Sequence, residues 1–101
     1  MIRHVIIWML KEEYSESEKE SIRRGIKEGL EGLKGRIPGL LEISVAINGL
    51  ASSNGDLMLD SLFTDEQALK EYAVHPAHAA VAEGKVRPYT RARNCFDYEV
   101  T

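Results

Sequence analysis

The chain opens on a run, residues 2 to 10, in which apolar side chains occupy both parities. Ile2, His4, Ile6 and Trp8 fall on one side and Val5, Ile7 and Met9 on the other. Because successive strand residues point to opposite faces, this pattern predicts a strand covered on both sides. Ser15 and Glu18 then form a capping-box pair. Ile22, Ile26, Leu30, Leu33 and Ile37 recur at three- and four-residue spacing, one stripe of an amphipathic helix that Pro38-Gly39 should end. Gly25, Gly29 and Gly32 fall inside that helix at a cost of about 1 kcal/mol each relative to alanine, so close packing is expected along them.

Leu41, Ile43, Val45 and Ile47 alternate with Glu42, Ser44 and Asn48 and predict a second strand; residues 57 to 63 form a third after the Ser/Asn/Gly-rich stretch Gly49 to Gly55, expected to be mobile. Thr64 or Asp65 can cap a second helix carrying Ala68, Leu69 and Tyr72. Pro76 should break that helix and start a short new one. In the last strand Ala92, Asn94, Phe96, Tyr98 and Val100 alternate with Arg93, Cys95, Asp97 and Glu99.

The order βαββαβ predicts an α+β, ferredoxin-like fold in a single domain, residues 1–101: a four-stranded antiparallel sheet with helices on one face. Nothing remains in the chain to cover the other face. A homodimer joined sheet to sheet is therefore expected, with Phe96, Asp97 and Tyr98 near the interface. Asp60 interrupts the third apolar strand and should be edge-exposed or pair with an arginine across the dimer.

Length and composition narrow the setting. The 101 residues are 44% hydrophobic, which suits one packed domain with a small core. A net charge of −3 argues against a nucleic-acid binder, and the late cluster Lys85, Arg87, Arg91 and Arg93 reads as a solvated rim. Cys95 is the only cysteine, so neither an intrachain disulfide nor a cysteine-based zinc site is expected, and a lone strand thiol reads as a packed or interface residue. With no signal-peptide pattern and no run near the ~18 residues of a membrane span, a cytoplasmic protein without membrane partners is the expectation.

Candidate chemistry gathers in Tyr72-Ala73-Val74-His75-Pro76-Ala77-His78, which holds two of the three histidines; His4 is the third. Imidazole exchanges protons near neutrality, and a phenol can donate a hydrogen bond to an oxygen that gains charge. If Pro76 opens a helix, His75 takes the cap position and His78 lies in the first turn, where the positive end of the dipole favours a neutral, basic ring. Each residue also has a plainer reading: His78 as a buried ring bonded to a carbonyl, Tyr72 as core filler, His75 as a cap, Trp8 as core. A His4, His75 and His78 metal site lacks the register of helical zinc ligands and an evident carboxylate, so no metal or other cofactor is expected.

The opening strand Ile2-Arg3-His4-Val5-Ile6-Ile7, the turn Ile37-Pro38-Gly39-Leu40, the Tyr72-x-x-His75-Pro76-x-His78 segment and the closing Phe96-Asp97-Tyr98 together resemble the stress-responsive A/B barrel (Dabb) family. The resemblance covers nearly the whole chain and implies a dimeric α+β barrel. In one plant member, a cyclase that closes a linear polyketide thioester by aldol condensation, a tyrosine and a histidine spaced as Tyr72 and His78 carry the proton transfers. A histidine matching His4 lines its pocket, and a further pocket histidine aligns with Leu57 here.

Two functions follow. In the first, a homodimer binds an apolar, aromatic or polyketide-like small molecule in a pocket and converts it by acid–base chemistry, with His78 and Tyr72 catalytic and His4, Trp8, Leu57 and His75 binding. In the second, the protein is a non-catalytic stress-responsive or structural barrel.

Overall fold

A computed structural model describes all 101 residues. The elements run β1 (Ile2–Leu10), α1 (Glu16–Glu31), β2 (Leu40–Ala46), β3 (Leu57–Phe63), α2 (Glu66–Val74), α3 (Pro76–Val81) and β4 (Thr90–Glu99); a π-helical stretch, Ala82–Val86, and a 3-10 turn, Arg87–Tyr89, lead from α3 into β4. The sheet is antiparallel in the order β2-β3-β1-β4. This is the ferredoxin-like arrangement that the pattern predicts.

Local signals explain most boundaries. The Ser15 hydroxyl accepts from the Glu18 amide at 3.2 Å while the Glu18 carboxylate accepts from the Ser15 amide at 2.8 Å, closing the capping box. Asp65, rather than Thr64, caps α2 through the Ala68 amide at 2.8 Å. The first helix ends at Glu31, earlier than its apolar stripe suggests, with Gly32 at its C-cap; Leu33 and Ile37 reach the core from the following turns. The tight packing expected along the glycines is found at Gly29, which meets Val81 and Lys85, helix against helix, but not at Gly25, where a β-carbon would meet nothing within 4 Å. At Gly39, φ is +83°, and a β-carbon would lie 2.5 Å from the Ala68 methyl, so the Ile37-Pro38-Gly39 turn requires glycine twice over.

The core lies between the sheet and the helices, where Ile2, Ile6, Trp8 and Leu10 of β1 meet Ile26 and Leu30 of α1 and Leu57, Leu59 and Phe63 of β3. In β2 the alternation departs from expectation. A register irregularity between Leu40 and Glu42 turns Leu40 inward and Leu41 outward, because an extra residue in one strand inverts the parity before it.

The helices cover β2, β3 and β1 and leave β4 open, so every residue of β4 is exposed or half-buried. On the sheet face away from the helices, Ile7, Phe96 and Tyr98 are 41%, 69% and 43% exposed, joined by half-buried Val5 and Met9. Two expectations about this face are corrected. Asp60 accepts at 2.8 Å from Arg3 of its own chain, diagonal to it across the β1–β3 ladder in which it faces Val5, so it needs no arginine from another copy. Asp97 does not accompany Phe96 and Tyr98: strand parity sends it to the helix side, opposite His4.

Candidate functional site

Helices leave a cavity of about 330 Å³ above the β1–β4 half of the sheet, lined mostly by apolar residues. Its sheet wall is His4, Ile6, Trp8 and Leu59; Leu69, Tyr72, Ala73 and His78 close it from α2 and α3, and Ala82, Val86 and Arg87 from the π-helical stretch and the turn after it. Arg93 of β4 stands at its open side. A more open hollow of about 530 Å³ shares His4, Leu69, Ala73 and Arg93 and extends to Cys95 and Asp97.

Three rings meet on one wall. Tyr72 and His78 have centroids 4.3 Å apart, and Tyr72 meets His4 edge-on at 6.2 Å. Tyr72 is 2% exposed and packs on Phe63 at 4.9 Å. Its hydroxyl and the Nδ1 of His78 are buried and have no hydrogen-bond partner. Burial pushes the Tyr72 phenol well above its ordinary value, against a smaller downward pull from Arg93, so it stays protonated. Burial also lowers the proton affinity of His78, more than the nearby Ala73 carbonyl raises it, and Arg87, His4 and Arg93 lower it further. Desolvation is thus the largest cause favouring the neutral ring expected of His78.

His4 is 5% exposed, and its Nδ1 is hydrogen-bonded to the carboxylate of Asp97. An ionised carboxylate only accepts, so the bond keeps a proton on Nδ1 and fixes the ring's orientation. Cys95 adjoins the pair, its Sγ 3.4 Å from Asp97 Oδ1 and 3.8 Å from His4 Nδ1. It is not activated: burial and Asp97 raise the thiol's pKa by more than Arg93 lowers it.

His4, Cys95 and Asp97 form the one grouping of three potential metal ligands, within 4.8 Å of one another, and a carboxylate is therefore placed where sequence reasoning saw none. The three groups satisfy each other by hydrogen bonds, and Cys95 and Asp97 are exposed. His75 and His78 do not join His4 as a ligand set.

Of the six site residues expected from sequence, His4, Trp8, Tyr72 and His78 line the cavity. Leu57 and His75 do not. Leu57 lies across from Trp8 in the packed core, at the far end of β3 from the rings. His75 is committed to capping, its Nδ1 accepting from the Ala77 amide at 3.1 Å. Asp97, Arg87 and Arg93 escaped the sequence reading. Adjacent antiparallel edges would have suggested Asp97, since strands β1 and β4 pair with His4 facing Asp97, but the register cannot be read from either strand alone.

The chain belongs to the stress-responsive A/B barrel domain (Dabb) family, whose model matches residues 2–100. Among solved structures, a dimeric ferredoxin-like protein of unknown function from Bacteroides fragilis superposes with a TM-score of 0.91 at 27% identity, over 98% of this chain and 95% of that one. A Dabb family protein from Mesorhizobium loti gives 0.75 at 21% identity, over 99% and 96%. The hydroxynitrile lyase of Passiflora edulis shares the fold with a TM-score of 0.73 at 13% identity, over 99% and 93%. No curated protein matches the chain significantly.

Proposed function

We propose that this protein is a homodimer that binds a small apolar or aromatic molecule in the cavity between sheet and helices and moves protons on it. The observation that carries this reading is the pair of buried, unpartnered polar atoms, Tyr72 Oη and His78 Nδ1, in one apolar cavity. Buried polar groups almost always find partners, and each one left without costs about 1–3 kcal/mol. Two such groups, on rings whose centroids are 4.3 Å apart in the cavity wall, suit a ligand's oxygen and an acidic hydrogen. A purely structural barrel gives no reason to leave them unmet.

Roles follow from the environments. His78, kept neutral by burial, takes a proton, for example from carbon beside a carbonyl; Tyr72, kept protonated, donates its O–H to the oxygen that gains the charge. His4, its Nδ1 held by Asp97, is the second imidazole in the cavity wall. The Passiflora edulis neighbour is a lyase, and the family resemblance extends to a cyclase; both lend support at the level of reaction class only. For the homodimer, support comes from the apolar outer sheet face and from the dimeric state of the Bacteroides fragilis neighbour. The cavity holds no reserved place for Leu57 or His75, so neither has a role in this reading.

The test uses acetophenone, an aromatic ketone with exchangeable methyl hydrogens. Titrating it into the labelled protein should shift the ring signals of His78 and Tyr72 but not those of His75. In deuterated water the protein should speed deuterium uptake into the methyl group, with His78→Gln slower by roughly 10²-fold. Unmoved His78 and Tyr72 signals together with no exchange would overturn the reading.

A further inference from the structure

The chain carries more acid than base, 16 Asp and Glu against 13 Lys and Arg, yet no carboxylate lines the cavity. Its formally charged residues are both arginines, Arg87 and Arg93. Arg93 lies opposite Trp8 in the β1–β4 ladder and so shares the sheet face of the buried rings. No carboxylate of the chain comes within the 4.0 Å of an ion pair with it. Arg91, two residues earlier, pairs with Glu12 at 3.3 Å, and Asp97, four residues later on the same face, is taken up by His4 and Cys95. Arg87 has only Glu83, at 3.9 Å on the exposed side. The late arginines are therefore not a uniform solvated rim: Arg91 is neutralised outside, while Arg87 and Arg93 border the cavity.

We propose that the ligand of this cavity is an anion, a small carboxylate with an apolar or aromatic body whose carboxylate meets the Arg93 guanidinium with Arg87 beside it. The inference rests on the reading of the cavity as a ligand site and adds the substrate class to it. A guanidinium presents paired N–H donors in a plane that a carboxylate matches bidentately, and such charge-assisted bonds are stronger than neutral ones. The body of the ligand would lie inward over Trp8, Leu59 and Leu30, where the lining is apolar. Both arginines already act on the rings of the cavity wall, since they disfavour protonated His78 and Arg93 favours ionised Tyr72. The same field stabilises negative charge developing on a ligand close to its carboxylate.

Trp8 is the only tryptophan and lines the cavity, so its fluorescence reports binding directly. The probes are 4-phenylbutyrate and its neutral amide, 4-phenylbutyramide, titrated at pH 7.5 into the wild-type protein, Arg93→Gln and Arg93→Lys. We expect the wild type to bind the acid at least ten-fold more tightly than the amide. Arg93→Gln should abolish that preference while leaving amide binding within about two-fold, and Arg93→Lys should keep part of it, since the charge remains without the fork. Circular dichroism and sedimentation check that both variants keep the wild-type fold and assembly. Equal binding of acid and amide by the wild type would sink the anion inference and leave the cavity reading intact. A preference that survives Arg93→Gln would overturn the role given to Arg93. Quenching by neither probe would count against the cavity as a ligand site, and the anion inference would fall with it.

Discussion

Replacing Tyr72 with phenylalanine removes one oxygen from a ring that is 2% exposed and leaves its packing on Phe63 and His78 unchanged. In an ordinary core the loss of a tyrosine hydroxyl destabilises, because its hydrogen bond goes with it. Here the hydroxyl has no partner in the chain, so the folded state carries a desolvated donor and acceptor at a cost of about 1–3 kcal/mol. Tyr72→Phe is accordingly expected to stabilise the protein by about 1 kcal/mol, a rise of about 4–8 °C in midpoint temperature for a domain of this size. The assay is urea unfolding at one fixed protein concentration, since association of subunits would otherwise add to the apparent stability. The same variant should lose proton-transfer activity by roughly 10²-fold or more, so stability and function move in opposite directions. A loss of 1 kcal/mol or more in Tyr72→Phe would refute the reasoning, because it would mean that the hydroxyl is satisfied and structural.

His78 supplies a pH test. Its proton affinity falls on folding because burial disfavours the imidazolium, so the unfolded chain binds more protons wherever the ring titrates. Its contribution to stability is full above the unfolded value of 6.5 and is lost as pH falls through the lower folded value; His78→Gln should flatten the stability curve below pH 6.5, and urea midpoints that track the wild type across that range would contradict this. Ile7→Asp places an unpaired charge on the apolar outer face, and sedimentation should then find monomers where the wild type associates, burial of that charge costing several kcal/mol; unaltered association would remove this face from the interface. Gly39→Ala meets both a positive φ and the Ala68 methyl, so a loss of about 2 kcal/mol or more is expected by thermal unfolding, and a neutral result would mean that the turn has room to relax.

Features governed by neighbours in the chain could be read from the sequence, and features governed by pairing could not. The capping box at Ser15, the restart at Pro76 and the alternation of β1 are rules of a few residues, and each appears in the fold where the pattern put it. The outward turn of Leu41 is a property of how β2 meets β3, invisible in a strand read alone. Proximity to Phe96 and Tyr98 suggests the dimer face for Asp97, although its parity opposes theirs; the pairing of β4 with β1, in a register that neither strand shows alone, sets it against His4. The arginines illustrate the same limit. Four basic residues close in sequence looked alike, and only the path of the chain through the π-helical stretch into β4 separates those that border the cavity from Arg91 outside it.

Selective capture of a small molecule tests the central claim most directly. Ala73 lies on the surface of α2 and borders both the cavity and the adjoining hollow, so Ala73→Phe should plug the opening without disturbing the buried rings. Wild type and Ala73→Phe, each immobilised and exposed to the same small-molecule extract, are washed and eluted, and the eluates compared by mass spectrometry. The account predicts one or a few compounds enriched on the wild type and absent from the plugged variant, carboxylates with an apolar body among them. Indistinguishable eluates from the two proteins would contradict it.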